Sequence, residues 1–354
     1  MKIQSDVKLD FDDVLIVPQR TRAASREAIK LDRTFSFYHS SAKWNGIPIF
    51  AANMDTTGTF PMSESLMKFH LPTCLHKHYN QDTIDERLID YDYQWFSMGI
   101  KESDLVKLRN FIKFTGDIPN ICVDVANGYT DDFVNFCNKL RQELGDHPII
   151  MAGNVCTPEM VQEIILHGGV DIVKVGIGPG SACTTRLKTG IGYPQLSAII
   201  ECAHAAHGLR NGNEKLGLIC ADGGCRMPAD ICKAFAAGAD FVMIGGMLAG
   251  TNECEGDWEY EWNEKQHLMA KTKLKFYGMS SHEAQKKYGG IKDYRSSEGR
   301  TISIPYKGHA SSVVSDILGG LRSACAYTGS TCLKDFSKTA KFITVNRTHY
   351  NNNI

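Results

Sequence analysis

The residues best suited to chemistry lie in one stretch, Lys174–Arg186, which reads K-V-G-I-G-P-G-S-A-C-T-T-R. A short apolar run ends at Val175 and enters a loop with Gly176, Gly178 and Gly180 in alternation. The loop then presents Cys183, followed by Thr184, Thr185 and Arg186. Its glycines and proline let the backbone turn sharply and come close to a ligand. A thiol in that setting is a candidate nucleophile, because soft sulfur attacks an electron-poor carbon well. No histidine adjoins Cys183, so a base must come from elsewhere in the fold. Glu298, set among small residues in S-S-E-G, is the best carboxylate for the task, against the plainer reading of a solvated loop glutamate. A hydroxyl such as Thr185 is a poor base alone but can relay a proton to a carboxylate.

Two further glycine pairs follow apolar runs, in Asp222-Gly223-Gly224 and in Gly245-Gly246. Exposed N–H groups of such turns suit an anion, and Ser181 and Ser280 could add hydroxyl donors. Asp222 would repel a phosphate and fits a neutral diol such as a ribose. The carbonyls of the cysteine loop could also coordinate a weakly hydrated monovalent cation. His76-Lys77-His78 sets a cation beside imidazoles, either to meet a cofactor phosphate or as plain surface.

These groups need a scaffold that brings distant loops to one face. Short apolar runs read as strands at Ile47–Ala52, Pro72–His76, Trp95–Met98, Asn120–Asp124, Ile149–Ala152, Asp171–Val175, Leu216–Ala221 and Asp240–Ile244. Several are almost wholly apolar, as parallel strands buried on both faces must be. Polar or glycine residues follow nearly every one, which is the pattern of an α/β fold, a (β/α)₈ TIM barrel. An internal near-repeat agrees. Pro158 and Pro228 each open a helix that ends in glycine, then Gly-x-Asp and another apolar strand. Residues 251–308 break the rhythm and read as a ribbon and flap inserted after the eighth strand. From His309 a last packing helix begins, and the N-R-T-H-Y-N-N-N-I tail is expected to be poorly ordered. No linker or second-domain boundary interrupts residues 1–354.

Composition narrows the class. The chain has 354 residues, 43% hydrophobic and 22% charged, with a formal net charge of -1. That gives a sizeable core and no basic field for nucleic acid or anionic membrane. The charged N-terminus lacks a signal-peptide core, and no apolar run reaches the ~18 residues a membrane span requires. Twelve cysteines without a C-x-x-C pair read as reduced thiols in a cytoplasmic protein, most of them packed as small hydrophobes.

The cysteine loop and the K-T-G-I-G-Y-P-Q-L-S-A-I after it resemble those of the IMP dehydrogenase/GMP reductase family. A-A-N-M-D-T-T-G-T-F, H-K-H-Y, D-V-A-N-G-Y, A-D-G-G-C, F-Y-G-M-S-S and Y-R-S-S-E-G-R are similar to its reductase branch. The likeness runs from about Leu9 to Phe342. The chain has no room for the tandem CBS insertion usual in the dehydrogenases, although a dehydrogenase that has lost it stays the alternative. A silent nucleotide-binding barrel would have no need of Cys183, Thr185 and Glu298 together.

The resemblance implies NADPH-dependent reductive deamination of GMP to IMP and ammonia. Cys183 would attack purine C2 to give a covalent thioimidate, while Thr185 and Glu298 move protons. Ser181, Asp222, Gly223, Gly224, Gly245, Gly246, Gly278, Met279, Ser280, Arg295, Ser296, Ser297 and Gly299 would hold the nucleotide. Ser25, Arg26, Lys77, Asp124, Val125, Ala126, Gly178, Met279, Tyr294, Ser323, Ala324, Cys325 and Ala326 would meet NADPH, some of them from a neighbouring subunit. Gly178, Gly180, Cys183 and Arg186 match a loop that binds a monovalent cation such as K⁺, and members of the family are typically homotetramers. Four features depart from the family pattern: S-M-G-I-K at 97–101, Ala229 in place of a glycine, a longer 210–216 segment and a slightly shorter flap. None of them touches Cys183, Thr185 or Glu298.

Overall fold

The computed structural model describes residues 3–21, 25–79, 89–264, 267–289 and 296–346. Eight parallel strands close into a barrel: β1 Ile49–Ala51, β2 Thr73–Leu75, β3 Gln94–Met98, β4 Ile121–Asp124, β5 Ile150–Val155, β6 Ile172–Val175, β7 Leu218–Asp222 and β8 Phe241–Ile244. Each strand pairs with its neighbours in sequence, and β8 closes on β1 through Val242–Ile49, Met243–Phe50 and Ile244–Ala51. All eight coincide with the apolar runs of the sequence, and the architecture is the (β/α)₈ barrel.

The helices that pack outside the strands carry their own start and stop signals. Helix α1 (Phe60–Met67) is capped by Thr59, whose hydroxyl accepts the Met62 N–H at 3.2 Å. Helix α2 (Glu102–Thr115) ends at Gly116 in the left-handed conformation. Thr130 caps α3 (Asp131–Leu144) in the same way as Thr59, each such cap contributing about 1 kcal/mol. Proline opens both α4 (Pro158–Gly168) and α6 (Pro228–Ala236), on either side of α5 (Gln195–Gly208), as the repeat requires. Val161, Ile164 and Ile165 of α4 and Ile231, Ala234 and Phe235 of α6 are buried against the barrel. The last helix, α7, spans Ala310–Thr328.

Two apolar layers result. One lies between strands and helices; the other fills the barrel with Phe50, Trp95, Met151, Ile172 and Phe241. A hairpin, Arg33–Ser36 with Lys43–Gly46, plugs the mouth at the N-terminal ends of the strands, its Phe35 ring 4.4 Å from that of Phe241. At the other end, side chains alternate along the strands and put Asp124, Lys174 and Asp222 one layer above Cys122, Ile172 and Cys220.

After β8 the chain leaves the barrel. Trp258–Asn263, Leu268–Tyr277 and Thr301–Pro305 form an antiparallel sheet, with the short helix His282–Tyr288 between the last two. This is the excursion the sequence announces. Ahead of the tail, Phe342–Thr344 pairs with Val14–Ile16. Residues 347–354 lie outside the described residues.

Candidate active site

Cys183 sits between the end of β6 and the short helix Thr185–Thr189, in a turn where its N–H donates to Gly180 O at 3.0 Å. The flap comes back to this turn through its backbone. Thr184 N–H donates to Glu298 O at 2.8 Å, and Arg300 N–H donates to Ala182 O at 2.9 Å. Cys183 and Gly299 thereby form an antiparallel bridge, and Gly299 also bridges Ser281. Glycine is required at this crossing: a Cβ on Gly299 would lie 2.9 Å from Ser281 N, and one on Gly278 would lie 2.8 Å from Ala182 O. With the backbones joined, three side chains fall in line. Cys183 Sγ lies 3.2 Å from Thr185 Oγ1, and Thr185 Oγ1 donates to Glu298 Oε2 at 2.8 Å.

That line opens on a cavity of about 210 Å³. Ser181, Gly223, Gly224, Gly245, Gly246, Gly278 and Met279 line it, together with Asn53, Met54, Asp124 and Asp222. Gly223 and Gly224 have φ of +83° and +89°, so their turn needs glycine. Gly246 sits close to Ser181, since a Cβ there would lie 2.9 Å from Ser181 Oγ and that hydroxyl would have to turn aside. Both glycine pairs and Ser181 therefore border one space. Other sequence candidates brace the flap from behind. Ser280 O accepts the Glu298 N–H at 3.2 Å, and buried Ser297 accepts the His282 N–H and donates to Gly299 O, both at 3.1 Å. Ser296 is exposed. Tyr294 and Arg295 lie outside the described residues.

Lys174 reaches the floor of the cavity from β6, with only 1% of its side chain exposed. Its ammonium is ion-paired with Asp124 of β4 and, at 3.2 Å, with Asp222 of β7. Burial opposes its charge, but the two carboxylates more than offset this and hold its pKa well above the usual lysine value. Burial likewise opposes ionisation of Asp124, and Lys174 beside it pulls the pKa below the ordinary range. Asn154 donates to Asp222 Oδ2 and to Gly176 O, both at 2.8 Å. Gly153 makes space for the lysine stem, since a Cβ there would lie 2.6 Å from Lys174 Cβ. Sequence reading passed over Lys174 and Asn154. The available signal was a lysine inside an otherwise apolar strand, with aspartates ending β4 and β7.

A second polar cluster ties the flap to the barrel. Buried Asp55 accepts hydrogen bonds through Oδ2 from Tyr277 at 2.6 Å, Tyr288 at 2.7 Å and Lys287 at 2.9 Å. Burial would raise its pKa, yet these donors bring it below the ordinary carboxylate range. His78 stacks on Tyr288 with ring centroids 3.4 Å apart, and His76 on Tyr79 at 3.9 Å. Burial lowers both imidazoles to about 4, so they are neutral near pH 7.

The expected cofactor residues fall into two groups. Lys77, Asp124, Val125, Ala126 and Gly178 lie at or just after the C-terminal ends of β2, β4 and β6, and Met279 of the excursion lines the cavity with Asp124. Ser323, Ala324, Cys325 and Ala326 lie in the last turns of α7, which starts beside the excursion, where Ala310 N–H donates to Glu253, and runs toward the opposite end of the barrel. Arg26, next to Ser25, stacks there on Tyr327 at 5.6 Å. One chain does not bring the second group to Cys183.

In the expected cation loop, Gly180 O and Arg186 O already accept the N–H groups of Cys183 and Gly190. Gly178, at φ +82°, packs on the Arg186 stem, and the Arg186 guanidinium donates to Asp10 at 3.0 Å and to Tyr193 O. Each bonded carbonyl retains a lone pair, so the donor set is compatible with a monovalent cation. Among the described residues, no group of three His, Cys, Asp or Glu side chains could hold a metal ion. No helix among them is long and apolar enough to cross a membrane.

A closed parallel barrel with a cysteine turn, glycine-lined cavity and returning flap defines a (β/α)₈-barrel enzyme. The IMP dehydrogenase / GMP reductase domain pattern matches residues 96–353, and the chain belongs to that family. It is 50% identical to the GMP reductase of Serratia proteamaculans (strain 568) over 98% of this chain and 97% of the relative. Against the GMP reductase of Buchnera aphidicola subsp. Schizaphis graminum (strain Sg) the identity is 51%, covering 98% and 96%. The GMP reductase of Yersinia pestis (strain Pestoides F) is 49% identical, covering 98% and 97%.

Proposed function

We propose that the chain is an NADPH-dependent GMP reductase, converting GMP to IMP and ammonia through a covalent intermediate on Cys183. The observation that carries this reading is the contact line Cys183–Thr185–Glu298 at the edge of the glycine-lined cavity. Fold and family make the chain an oxidoreductase that takes a small-molecule substrate and a nicotinamide cofactor.

In this reading the phosphate rests on the N–H groups of Gly223, Gly224, Gly245 and Gly246 with the Ser181 hydroxyl, and Asp222 accepts from the ribose diol. Cys183 gives up its proton through Thr185 to Glu298, and the sulfur bonds to purine C2. The amino group leaves with that proton returned by the same relay, so the deamination half balances as thiol plus amine to thioimidate plus ammonia. NADPH, when bound, supplies the hydride that takes the place of sulfur at C2 and frees Cys183. Lys77, Asp124, Val125, Ala126 and Met279 are placed to hold its nicotinamide half. The exposed Arg26 guanidinium suits the additional phosphate that distinguishes NADPH from NADH. Because Arg26 and Ser323–Ala326 sit at the far end of the barrel, the adenosine half is held by a neighbouring copy, in keeping with a homotetramer. The cysteine-loop carbonyls of Gly178, Gly180, Cys183 and Arg186 are the proposed ligands of K⁺.

Purified chain with GMP and NADPH should consume NADPH and release ammonia, with a greater rate when K⁺ is added. Reduction of NAD⁺ by IMP with formation of XMP, and no GMP-dependent NADPH oxidation, would make it a dehydrogenase without its CBS insertion.

A further inference from the structure

Lys174 stands out because the barrel interior is otherwise built from apolar side chains and cysteines in the layers beneath it. The ionisable groups that face it are Asp124 and Cys122 from β4, Asp222 and Cys220 from β7, and Cys74 from β2, with Lys77 beyond Asp124. A buried ammonium is tolerated only where carboxylates meet it, and here two strands supply one each. Both carboxylates also border the cavity, with 31% of the Asp124 side chain and 19% of the Asp222 side chain exposed. Asp222 is further fixed by Asn154 through the oxygen that also faces Lys174.

We infer that Lys174 is a positioning residue that ties the two ligand sites together, holding Asp222 toward the nucleotide and Asp124 toward the cofactor through one shared cation. The assignment of the two sides rests on the functional reading given above. Without the ammonium, two like charges face each other in a buried site, and the pair takes up a proton as the pH falls. A protonated or turned carboxyl no longer accepts from a ribose hydroxyl, so both ligands weaken together.

The test is calorimetric titration of the full chain with IMP and, separately, with NADP⁺, for wild type and Lys174→Met, from pH 6 to pH 8.5. The variant should lose about tenfold or more in affinity for each ligand at pH 6. The ratio of wild-type to variant affinity should shrink as the pH rises. Loss confined to one ligand, or a ratio that does not change with pH, overturns the inference, because a purely structural lysine would move stability and not that ratio. If Lys174→Met does not fold, Lys174→Met/Asp222→Asn removes one charge of each sign. Compared with Asp222→Asn alone, it should bind NADP⁺ more weakly by about tenfold or more at pH 6, and equal NADP⁺ affinity in these two variants would overturn the inference. Wild type that binds neither ligand refutes the functional reading and this inference with it. Wild type that binds both, beside an unaltered Lys174→Met, refutes the inference alone.

Discussion

The two ends of the barrel use the same materials to opposite effect. At the N-terminal ends of the strands, Asp171 precedes β6 and Asp240 precedes β8, the two aspartates of the internal repeat, and they are 1% and 2% exposed. Each accepts an N–H from the first two residues of a neighbouring strand, Ile150 at 2.8 Å for Asp171 and Ile219 at 3.2 Å for Asp240. Arg141 donates to Asp171 at 2.6 Å, while His207 lies 2.7 Å from Asp240, with Arg33 and Lys215 at 3.5 and 3.7 Å. At the C-terminal ends, Asp124 and Asp222 also meet a buried cation, yet they border a cavity. Charges sealed among strand ends hold the barrel's register; charges half-open to a cavity can meet a ligand. Residue type does not separate the two roles. Access does.

The largest effects should come from the open end and fall on turnover. Glu298→Gln keeps the side chain's size but removes the proposed proton acceptor. It should lower kcat for GMP by about 10²- to 10⁴-fold with little change in KM, measured by NADPH oxidation and ammonia release. Equal losses in GMP binding and in turnover would take the proposed relay away from Glu298. Gly299→Ala tests the backbone crossing. Its Cβ would meet Ser281 N at 2.9 Å and Gly278 O at 3.1 Å, so the flap must shift against the cysteine turn. A displacement of about 1 Å at reacting groups corresponds to roughly 10²-fold in rate. Turnover within a fewfold of wild type would mean that the flap seats without this crossing.

The barrel was legible because its strands are apolar on both faces and are followed by polar or glycine turns, so burial and function leave separate marks on the sequence. The cysteine turn was legible for the same reason: its glycines fit close approach better than packing. The pairing of Thr185 with Glu298 was different, since 113 residues separate them and their 2.8 Å contact depends on a tertiary crossing. Local reading supplied Glu298 and Thr185 only as separate candidates, and the family resemblance joined them as a pair. Lys174 went unread because local sequence gives no sign that β4 and β7 deliver carboxylates to the same point. His76-Lys77-His78 left two readings open, a cofactor phosphate or plain surface, and local sequence could not show that its two imidazoles stack on Tyr79 and Tyr288. The Gly-x-Asp repeat pointed correctly to the fold, and the structure gives its aspartates a bracing task.

At the sealed end the expected effects fall on stability and leave kcat alone. Asp240→Asn leaves His207, Lys215 and Arg33 around a neutral amide, and removing one partner from a buried ionic cluster costs about 3–5 kcal/mol. Burial disfavours the Asp240 carboxylate, but His207, Lys215 and Arg33 together bring its pKa far below the usual range. Its contribution is therefore present above the ordinary carboxylate pKa and is lost only as pH falls well below it. The deficit of the Asn variant, read by urea denaturation, should be nearly constant from pH 5 to pH 8.

Asp171→Asn should show a smaller effect that changes with pH in the opposite sense. Burial outweighs Arg141 and raises the Asp171 pKa to about 6. A raised carboxyl stabilises the fold fully below its unfolded pKa, and that contribution is lost as pH rises through the folded value. Wild type should therefore lose on the order of 1–2 kcal/mol relative to Asp171→Asn between pH 5 and pH 8. A parallel pair of stability curves would show that Arg141 holds Asp171 ionised throughout, making the two sealed aspartates equivalent. Diverging curves would show that even at the closed end of the barrel, the balance between burial and pairing is set strand by strand.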